Sequence, residues 1–158
     1  MLNLDITGRD KVDLKYLLLD FNGTIAFDGT FISELAPIIE RVRKEHEMEI
    51  YILTADTFGT AKEQTDHLPL SLKILESDNH TREKGDFVQE LGAENVIAIG
   101  NGANDIQMLK EAEISIGILG QEGCSTGIVD VADLFVADIV DGLELLLHPK
   151  RLMATLRR

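Results

Sequence analysis

The sequence is poor in cysteine, proline and aromatic residues, and the shortage of cysteine excludes a protein stabilised by internal disulfides. Its 158 residues include one Cys, three Pro and no Trp, and aromatic residues make up 5% of the chain. A single cysteine, Cys124, excludes an internal disulfide and is typical of a reducing compartment. Residues 123–127 have the composition of a loop and carry no basic residue, so the sequence does not indicate a nucleophilic role for Cys124.

Positive charge is also scarce. The chain has 15 Lys and Arg against 28 Asp and Glu, which gives a formal net charge of −13. Because binding to a phosphate backbone requires clustered Lys and Arg, we expect no nucleic-acid partner. The exception is a basic group at the C-terminus, which we interpret as cations placed favourably at the end of a last helix. This group consists of Lys150, Arg151, Arg157 and Arg158.

Long apolar runs are absent. No run approaches the roughly 20 residues that a membrane span requires, and residues 1–5 do not resemble an export signal. We therefore expect a cytoplasmic protein with no membrane partner. The length and the 44% hydrophobic content fit a single domain over residues 1–158.

Short apolar runs alternate with amphipathic segments along the chain. This alternation predicts an α/β fold, a three-layer Rossmann-like parallel sheet with helices on both faces. An Asp-Gly pair at residues 28–29 predicts a small flap hairpin, and Ser33 is predicted to cap the first helix. Strands are predicted at residues 2–6, 16–20, 50–53, 72–75, 96–99, 114–119 and 134–136, and helices at 35–42, 59–67, 82–91, 106–112 and 139–147.

The apolar run before Asp20 is too short for a helix and leads directly into a glycine turn. This pattern is typical of a buried parallel strand that delivers a carboxylate to the edge of a sheet. Ligands of open α/β sheets bind outside the carboxyl ends of the strands, so Asp20 is a candidate catalytic residue. Residues 20–23, Asp-Phe-Asn-Gly, are also a common turn composition, so the motif alone leaves both interpretations open.

Three further polar features follow predicted strands or begin predicted helices. Thr54 ends a strand, where its hydroxyl and the following N–H groups can donate to a phosphoryl oxygen. Lys84 stands near a helix start, where a fixed cation can serve phosphoryl transfer. Asn101 and Asp105 offer oxygen atoms of the kind that Mg²⁺ prefers. Taken singly, these residues are equally typical of a strand-end cap, a solvated lysine and a strand-to-helix turn.

Together, Asp20, Thr54, Lys84 and Asp105 occur in the order of the haloacid dehalogenase (HAD) superfamily, and residues 20–24 resemble its first motif. The resemblance implies that Asp20 attacks a phosphoryl group while Mg²⁺ screens the charge. The residues implied for catalysis are Asp20, Asn22, Thr54 and Lys84; those for phosphate binding are Thr54, Ala55, Lys84 and Gly23; those for Mg²⁺ are Asp20, Asn22, Asn101 and Asp105.

From Tyr16 to Leu147 the chain is also similar to the phosphorylation domain of P-type cation-transport ATPases. Residues 20–24 resemble their Asp-Lys-Thr-Gly-Thr, residues 54–56 their Thr-Gly-Asp, and residues 97–109 their Gly-Asp-Gly-x-Asn-Asp motif. The membrane helices and the nucleotide-binding insert of the pumps are missing. The chain is identified as a soluble P-type-ATPase-like member of the superfamily, and we expect no transport by it alone.

The sequence departs from the superfamily pattern at three points. Asn22 stands where phosphatases usually have the acid/base Asp, and Asn101 replaces an Asp that usually binds Mg²⁺. The third departure is the absence of a cap domain, since the segments from Thr24 to Thr54 and from Thr54 to Lys84 are too short for one. We expect modest Mg²⁺ affinity, slow dephosphorylation, and a homo-oligomer such as a tetramer, in which neighbouring subunits supply walls to an open site.

Two functions remain open from the sequence. The first is an Mg²⁺-dependent phosphohydrolase that works through an aspartyl phosphate at Asp20 on a phosphorylated small molecule or phosphoprotein. The second is a non-turnover module that binds phosphate or a phosphoprotein through a degenerate site. The four histidines have no metal-ligand spacing and are predicted to lie at the surface.

Overall fold

The computed structural model describes residues 1–158, and a six-stranded parallel sheet lies at its centre. The strands are β1 (Leu2–Leu4), β2 (Val12–Leu14), β3 (Tyr16–Asp20), β4 (Ala26–Phe27), β5 (Thr30–Phe31), β6 (Glu49–Thr54), β7 (Ser71–Ile74), β8 (Val96–Gly100), β9 (Ile114–Ile118) and β10 (Leu134–Val136). The helices are α1 (Ala36–His46), α2 (Thr60–Thr65), α3 (His80–Leu91), α4 (Ile106–Glu111), α5 (Ile139–Leu147) and α6 (Pro149–Leu156). Short 3-10 turns occupy Ser33–Leu35, Ala93–Asn95, Ala103–Asp105 and Thr126–Ile128.

The order across the main sheet is β10-β9-β8-β3-β6-β7, and all neighbouring strands are parallel. After β3 the chain builds one side of the sheet with β6 and β7, and then crosses back to build the other side from β8. The strand order therefore reverses beside β3. In open α/β sheets, ligands bind at such a switch point, outside the carboxyl ends of the strands.

The central strands are buried on both faces because their side chains alternate between two cores. In β3, Leu17 and Leu19 belong to a large core of 30 buried residues, whereas Leu18 belongs to a smaller core of nine on the opposite face. The larger core also takes in apolar residues of α1, α5 and α6, and the smaller one those of α3 and α4. The fold class predicted from the sequence is confirmed.

Most local predictions agree with the structure, and a few differ at the ends of elements. The flap hairpin is present, with β4 and β5 antiparallel, and Pro149 starts a separate helix. The predicted cap at Ser33 is wrong, because Ser33 begins a 3-10 turn whose N-terminus has no side-chain cap. The first strand ends at Leu4, and α2 is shorter than predicted at both ends. It begins only at Thr60 because the preceding loop bends through Asp56 and Gly59, which have positive φ.

Between Thr24 and Thr54 the chain forms the flap hairpin, α1 and β6, and between Thr54 and Lys84 it forms α2, β7 and the start of α3. Neither segment contains an inserted cap domain, so the carboxyl edge of the sheet is open. None of the helices combines the length and the apolar character that a membrane crossing needs.

Candidate active site

A cavity of about 610 Å³ lies at the carboxyl edge of the sheet, at the switch point. Strands β8, β3 and β6 are neighbours, so the residues at their ends meet there. The predicted site residues that line it are Asp20, Asn22, Thr54, Ala55, Lys84 and Asn101. Of the other two predicted residues, Gly23 lies in the turn beneath Asn101, and Asp105 is fully buried behind the cavity.

Lys84 is almost completely buried, with 1% of the residue exposed. Its Nζ lies 2.6 Å from Asp20 Oδ1 and 2.6 Å from Asp105 Oδ1, and donates a hydrogen bond to each. Helix α3 can bring Lys84 this close because the next residue is Gly85, where a Cβ would overlap the side chain of Gln107 in the adjoining helix α4. The local sequence Lys-Gly thus places a cation between two carboxylates.

Burial dominates the electrostatics of this group. Burial and, second to it, the charge of Asp105 raise the pKa of Asp20 from 3.8 to about 7, against the opposing effects of Lys84 and of a backbone hydrogen bond from Phe21. Burial alone would lower the pKa of Lys84, but the attraction of Asp20 and Asp105 outweighs it, so that pKa is raised. One ammonium between two carboxylates leaves one buried negative charge, which a further cation would neutralise.

Asp105 is occupied on both of its carboxylate oxygens. Oδ1 accepts from Lys84, and Oδ2 accepts from the backbone N–H groups of Asn101 and Gly102 at 3.0 and 2.9 Å. Asp105 therefore holds both the lysine and the loop after β8 in position. Asp105 is predicted from the sequence as a metal ligand, but here its two oxygens accept hydrogen bonds from protein donors and the residue is not among those that line the cavity.

Asn101 connects the first motif to the loop after β9. Its Oδ1 lies 3.3 Å from Thr24 Oγ1, whose hydroxyl also lies 3.4 Å from Asp20 Oδ2. Its Nδ2 donates to the Gly123 carbonyl at 3.0 Å, and its backbone carbonyl accepts from Ser125 N at 2.8 Å. The amide is thus oriented with its oxygen toward the buried Thr24 and its nitrogen toward residues 120–125.

The loop after β6 presents Thr54 to the cavity. Thr54 Oγ1 accepts a hydrogen bond from Asp56 N at 3.2 Å, so its own hydroxyl hydrogen remains available to a ligand. The Asp56 carboxylate accepts from Ala61 N and Lys62 N at 2.7 and 3.2 Å and so caps the start of α2. The Asp56 side chain therefore shapes the loop, while Thr54 and Ala55 face the cavity.

Gly23 allows the tight approach of the first motif to Asn101, and replacing it with Ala is expected to destabilise the protein. Its φ is +80°, and a Cβ there would stand 2.5 Å from Asn101 Nδ2 and 2.6 Å from Glu122 Oε2. Left-handed backbone costs a non-glycine residue about 1–2 kcal/mol, and overpacking adds about 1–3 kcal/mol. The decrease in the free energy of unfolding of Gly23→Ala, measured by denaturant unfolding, gives the sum of these two costs.

The matched control for this prediction is Gly29→Ala. Gly29 has a similar φ of +77°, but a Cβ there meets no atom within 4 Å, so only the backbone cost is expected. Equal losses of stability in the two variants would show that the contacts of Gly23 with Asn101 and Glu122 contribute nothing.

Sequence reasoning missed several residues that line or support the cavity. Thr24 was part of the first motif, yet its link to Asn101 depends on β3 and β8 being neighbours. Glu122 and Phe58 lie in loops without a motif, and Phe58 is 88% exposed at the cavity. Two of the histidines predicted at the surface are half-buried: His80 lines the cavity, and the ring of His46 is hydrogen-bonded to the Leu146 carbonyl.

The donor atoms around Asp20 fit a hard divalent cation. No group of three or more His, Cys, Asp or Glu side chains is arranged to hold a metal. Mg²⁺, however, usually binds through one or two carboxylates, substrate phosphate and waters. Asp20 and Asn101 provide a carboxylate and an amide oxygen at the cavity. Asp20, Lys84 and Asp105 form a buried trio that carries one excess negative charge when all three are ionised.

Known proteins are similar to this chain in part of the sequence and in the fold. Residues 83–119 match the family described as haloacid dehalogenase-like hydrolase. An uncharacterised protein of Methanocaldococcus jannaschii is 45% identical over 75 residues, which are 45% of this chain and 81% of that protein. A soluble P-type ATPase-like phosphatase of the same organism is 25% identical over 146 residues, 86% of this chain, which spans only 53% of that relative's length.

Among solved structures, the fold is similar to that of 3-deoxy-D-manno-octulosonate 8-phosphate phosphatase from Moraxella catarrhalis. That enzyme was crystallised with a magnesium ion, a phosphate ion and KDO. The TM-score is 0.70 with 16% sequence identity over 91% of this chain and 94% of that chain. At this identity the likeness concerns the fold.

The order of the motifs, the fold and the relatives agree with one another. The resemblance stated from the sequence is confirmed: residues 83–119 match the haloacid dehalogenase-like hydrolase family, and the chain is similar to a soluble P-type ATPase-like phosphatase.

Proposed function

We propose that this chain is an Mg²⁺-dependent phosphohydrolase that works through an aspartyl phosphate at Asp20. The observation that carries the proposal is the buried contact of Asp20 with Lys84 at the end of β3. One carboxylate oxygen is held by the ammonium, and the residue lines an open cavity beside Thr54. The relationship to a soluble P-type ATPase-like phosphatase supports the same chemistry.

In the first step, an Asp20 oxygen attacks the phosphorus atom and the bond from phosphorus to the leaving oxygen breaks. Thr54 and the N–H of Ala55 bind the phosphoryl oxygens, and Lys84 offsets the charge that develops beside Asp20. In the second step, water attacks the phosphorus atom of the aspartyl phosphate. The bond to Asp20 breaks, inorganic phosphate leaves, and the carboxylate is restored.

The donor set around Asp20 suits Mg²⁺, and we assign the site to Asp20, Asn22 and Asn101. When bound, the cation would favour the ionised form of Asp20, whose pKa burial otherwise raises, and would neutralise phosphoryl charge. Asp105, which the sequence also predicts as a ligand, acts in this proposal through Lys84 and the loop backbone that it holds.

Asn22 is proposed to make dephosphorylation the slow step, so Asn22→Asp is expected to accelerate steady-state turnover. Its side chain is exposed at the cavity and makes no hydrogen bond within the protein, and an amide cannot accept the proton of the attacking water. General acid–base catalysis is typically worth about 10²–10⁴ in rate. Rapid-quench kinetics with an activated aryl phosphate should show a product burst in the wild type.

The gain in Asn22→Asp should lie in the breakdown of the phosphoenzyme more than in its formation, because a good leaving group needs little acid assistance. The control is Asn104→Asp, which adds the same charge at another cavity residue. If Asn22→Asp hydrolyses the phosphoenzyme no faster than the wild type, Asn22 is not the cause of slow turnover.

Trapping the intermediate tests the proposed function directly. The protein is incubated with a ³²P-labelled acyl phosphate and Mg²⁺ and quenched in acid. We expect a label that hydroxylamine removes and that peptide mapping places on Asp20. Turnover without such a label, or a label elsewhere, would contradict the mechanism.

The second candidate is a module that binds phosphate or a phosphoprotein without turnover. The two amides, Asn22 and Asn101, at positions where the superfamily usually has carboxylates favour it. A generic aryl phosphate assay with Mg²⁺ that compares wild type with Asp20→Ala separates the two: equal, negligible rates together with phosphate binding would support the module.

For the substrate, we propose a phosphorylated small molecule or a phosphoprotein. The cavity lacks a lid within this chain and is rimmed by the exposed Phe58, so it admits a bulky group. A homo-oligomer such as a tetramer, a single domain over residues 1–158 and a cytoplasmic location stay predictions.

A further inference from the structure

We propose that Glu122 supplies to the divalent cation the negative charge that the site lacks because residue 101 is Asn. The proposal rests on the Mg²⁺-dependent function proposed above. It assigns a role to a residue that lies outside the four superfamily motifs, in the loop after β9.

The side chains of Glu122 and Asn101 lie close to each other beside Gly23 of the first motif. Both side chains line the cavity that contains Asp20. The point at which a Cβ on Gly23 would stand is 2.6 Å from Glu122 Oε2 and 2.5 Å from Asn101 Nδ2. The glutamate carboxylate thus occupies the immediate surroundings of the predicted metal-binding amide, although the two residues are distant from the first motif in sequence.

Asn101 itself holds the loop that carries this glutamate. Its side-chain nitrogen donates to the Gly123 carbonyl, and its backbone carbonyl accepts from Ser125 N. An aspartate in the same orientation would place an oxygen against the Gly123 carbonyl, with no hydrogen between them. Asn101 therefore carries no charge itself, but its hydrogen bonds hold the loop that brings the negative charge of Glu122 to the site.

The charge count of the site agrees with this exchange. Asp20, Asp105 and Lys84 together carry a net charge of −1 when all are ionised, and the carboxylate of Glu122 brings the total to −2. This total matches a divalent cation. Without Glu122, the cation would meet one net negative charge and two neutral amides, Asn22 and Asn101.

Glu122 also holds the flap hairpin, because its Oε1 accepts a hydrogen bond from Asp28 N at 3.1 Å. A purely structural role is therefore the competing explanation. The two roles respond differently to substitution. Glu122→Gln keeps an oxygen that can accept from Asp28 N but removes the charge, whereas Glu122→Ala removes both.

The test is Mg²⁺ binding to the phosphate-free protein, measured by isothermal titration calorimetry at constant ionic strength. We expect Glu122→Gln and Glu122→Ala to weaken binding by a similar factor, about tenfold, because ligand charge governs the affinity of hard cations. The matched control is Glu34→Gln, which removes the same charge from a residue that lines a different cavity. Its dissociation constant should stay at the wild-type value, since solvent and salt screen distant charges.

Four other outcomes would overturn the proposal. Wild-type affinity in Glu122→Gln with weaker binding in Glu122→Ala would leave Glu122 as an anchor of the flap alone. Equal weakening in Glu122→Gln and Glu34→Gln would mean that only the overall charge matters. Absence of Mg²⁺ binding in the wild type would refute the metal-dependent function itself, whereas unchanged binding in both Glu122 variants would refute only the role of Glu122.

Discussion

Replacing Asp20 with Asn is expected to lower phosphate-ester turnover by roughly 10⁴-fold or more, as removal of an enzyme's nucleophile does. The amide has almost the same shape but cannot form the phosphoryl bond. The fold should survive, because burial already favours the neutral form of this side chain and Lys84 keeps its contact with Asp105. Turnover of an aryl phosphate and the thermal melting curve are measured on the same preparations.

The matched control for Asp20→Asn is Asp28→Asn. Asp28 is exposed on the flap hairpin, and its side chain forms no ion pair or hydrogen bond. The variant therefore loses a carboxylate but leaves the buried trio around Lys84 unchanged. Its turnover should remain close to that of the wild type. Wild-type turnover in Asp20→Asn would remove Asp20 from the nucleophilic role and with it the proposed intermediate.

Replacing Lys84 with Met is expected to impair both stability and activity. The side chain is of similar length, but the ammonium that joins Asp20 and Asp105 is lost. Removing one partner of a buried ion pair typically costs about 3–5 kcal/mol, because it leaves an uncompensated buried charge. Denaturant unfolding at pH 8 should show this loss, and phosphoenzyme formation should be severely slowed because the charge beside the nucleophile is no longer offset.

The loss of stability in Lys84→Met should depend on pH. Without the ammonium, burial and the charge of Asp105 hold the pKa of Asp20 in the folded state above the ordinary 3.8. The folded state then binds more protons than the unfolded state, so its stability falls as pH rises from that value through the raised pKa. The variant should therefore recover part of its lost stability at pH 5.

Lys44→Met serves as the control, because Lys44 is exposed on α1 and forms no ion pair. Its unfolding free energy should stay within about 0.5 kcal/mol of the wild type, as is usual for surface substitutions. A Lys84→Met variant as stable as this control at pH 8 would mean that the buried trio does not depend on its cation.

Asp20 was predictable from sequence because local chemistry alone specifies its place. A short apolar run that must be buried on both faces ends in a carboxylate and a glycine turn, which is sufficient to put Asp20 at the carboxyl end of a parallel strand. Thr54 and Asn101 follow by the same reasoning. The ends of β6 and β8 come to lie beside the end of β3 because parallel strands share one edge.

Lys84 illustrates the limit of such reasoning. Its position near a helix start was predictable, but a lysine there is ordinarily solvated. Its burial depends on Gly85, which lets α3 approach the segment that carries Gln107, and on Asp105, which offers a second carboxylate. Asp105 was assigned to the metal from its motif, whereas its hydrogen bonds to Lys84 and to two backbone N–H groups can be read only in three dimensions.

The sequence by itself determined the parallel sheet, the open carboxyl edge, the position of the candidate nucleophile Asp20, and the neutral amides at Asn22 and Asn101. These follow from strand hydrophobicity, segment lengths and residue types, all of which are local. Only the tertiary structure decided which side chains complete the site. Glu122 stands beside Gly23 because the loop after β9 folds across β8 and is held by Asn101, and a contact between such distant segments leaves no local pattern in the sequence.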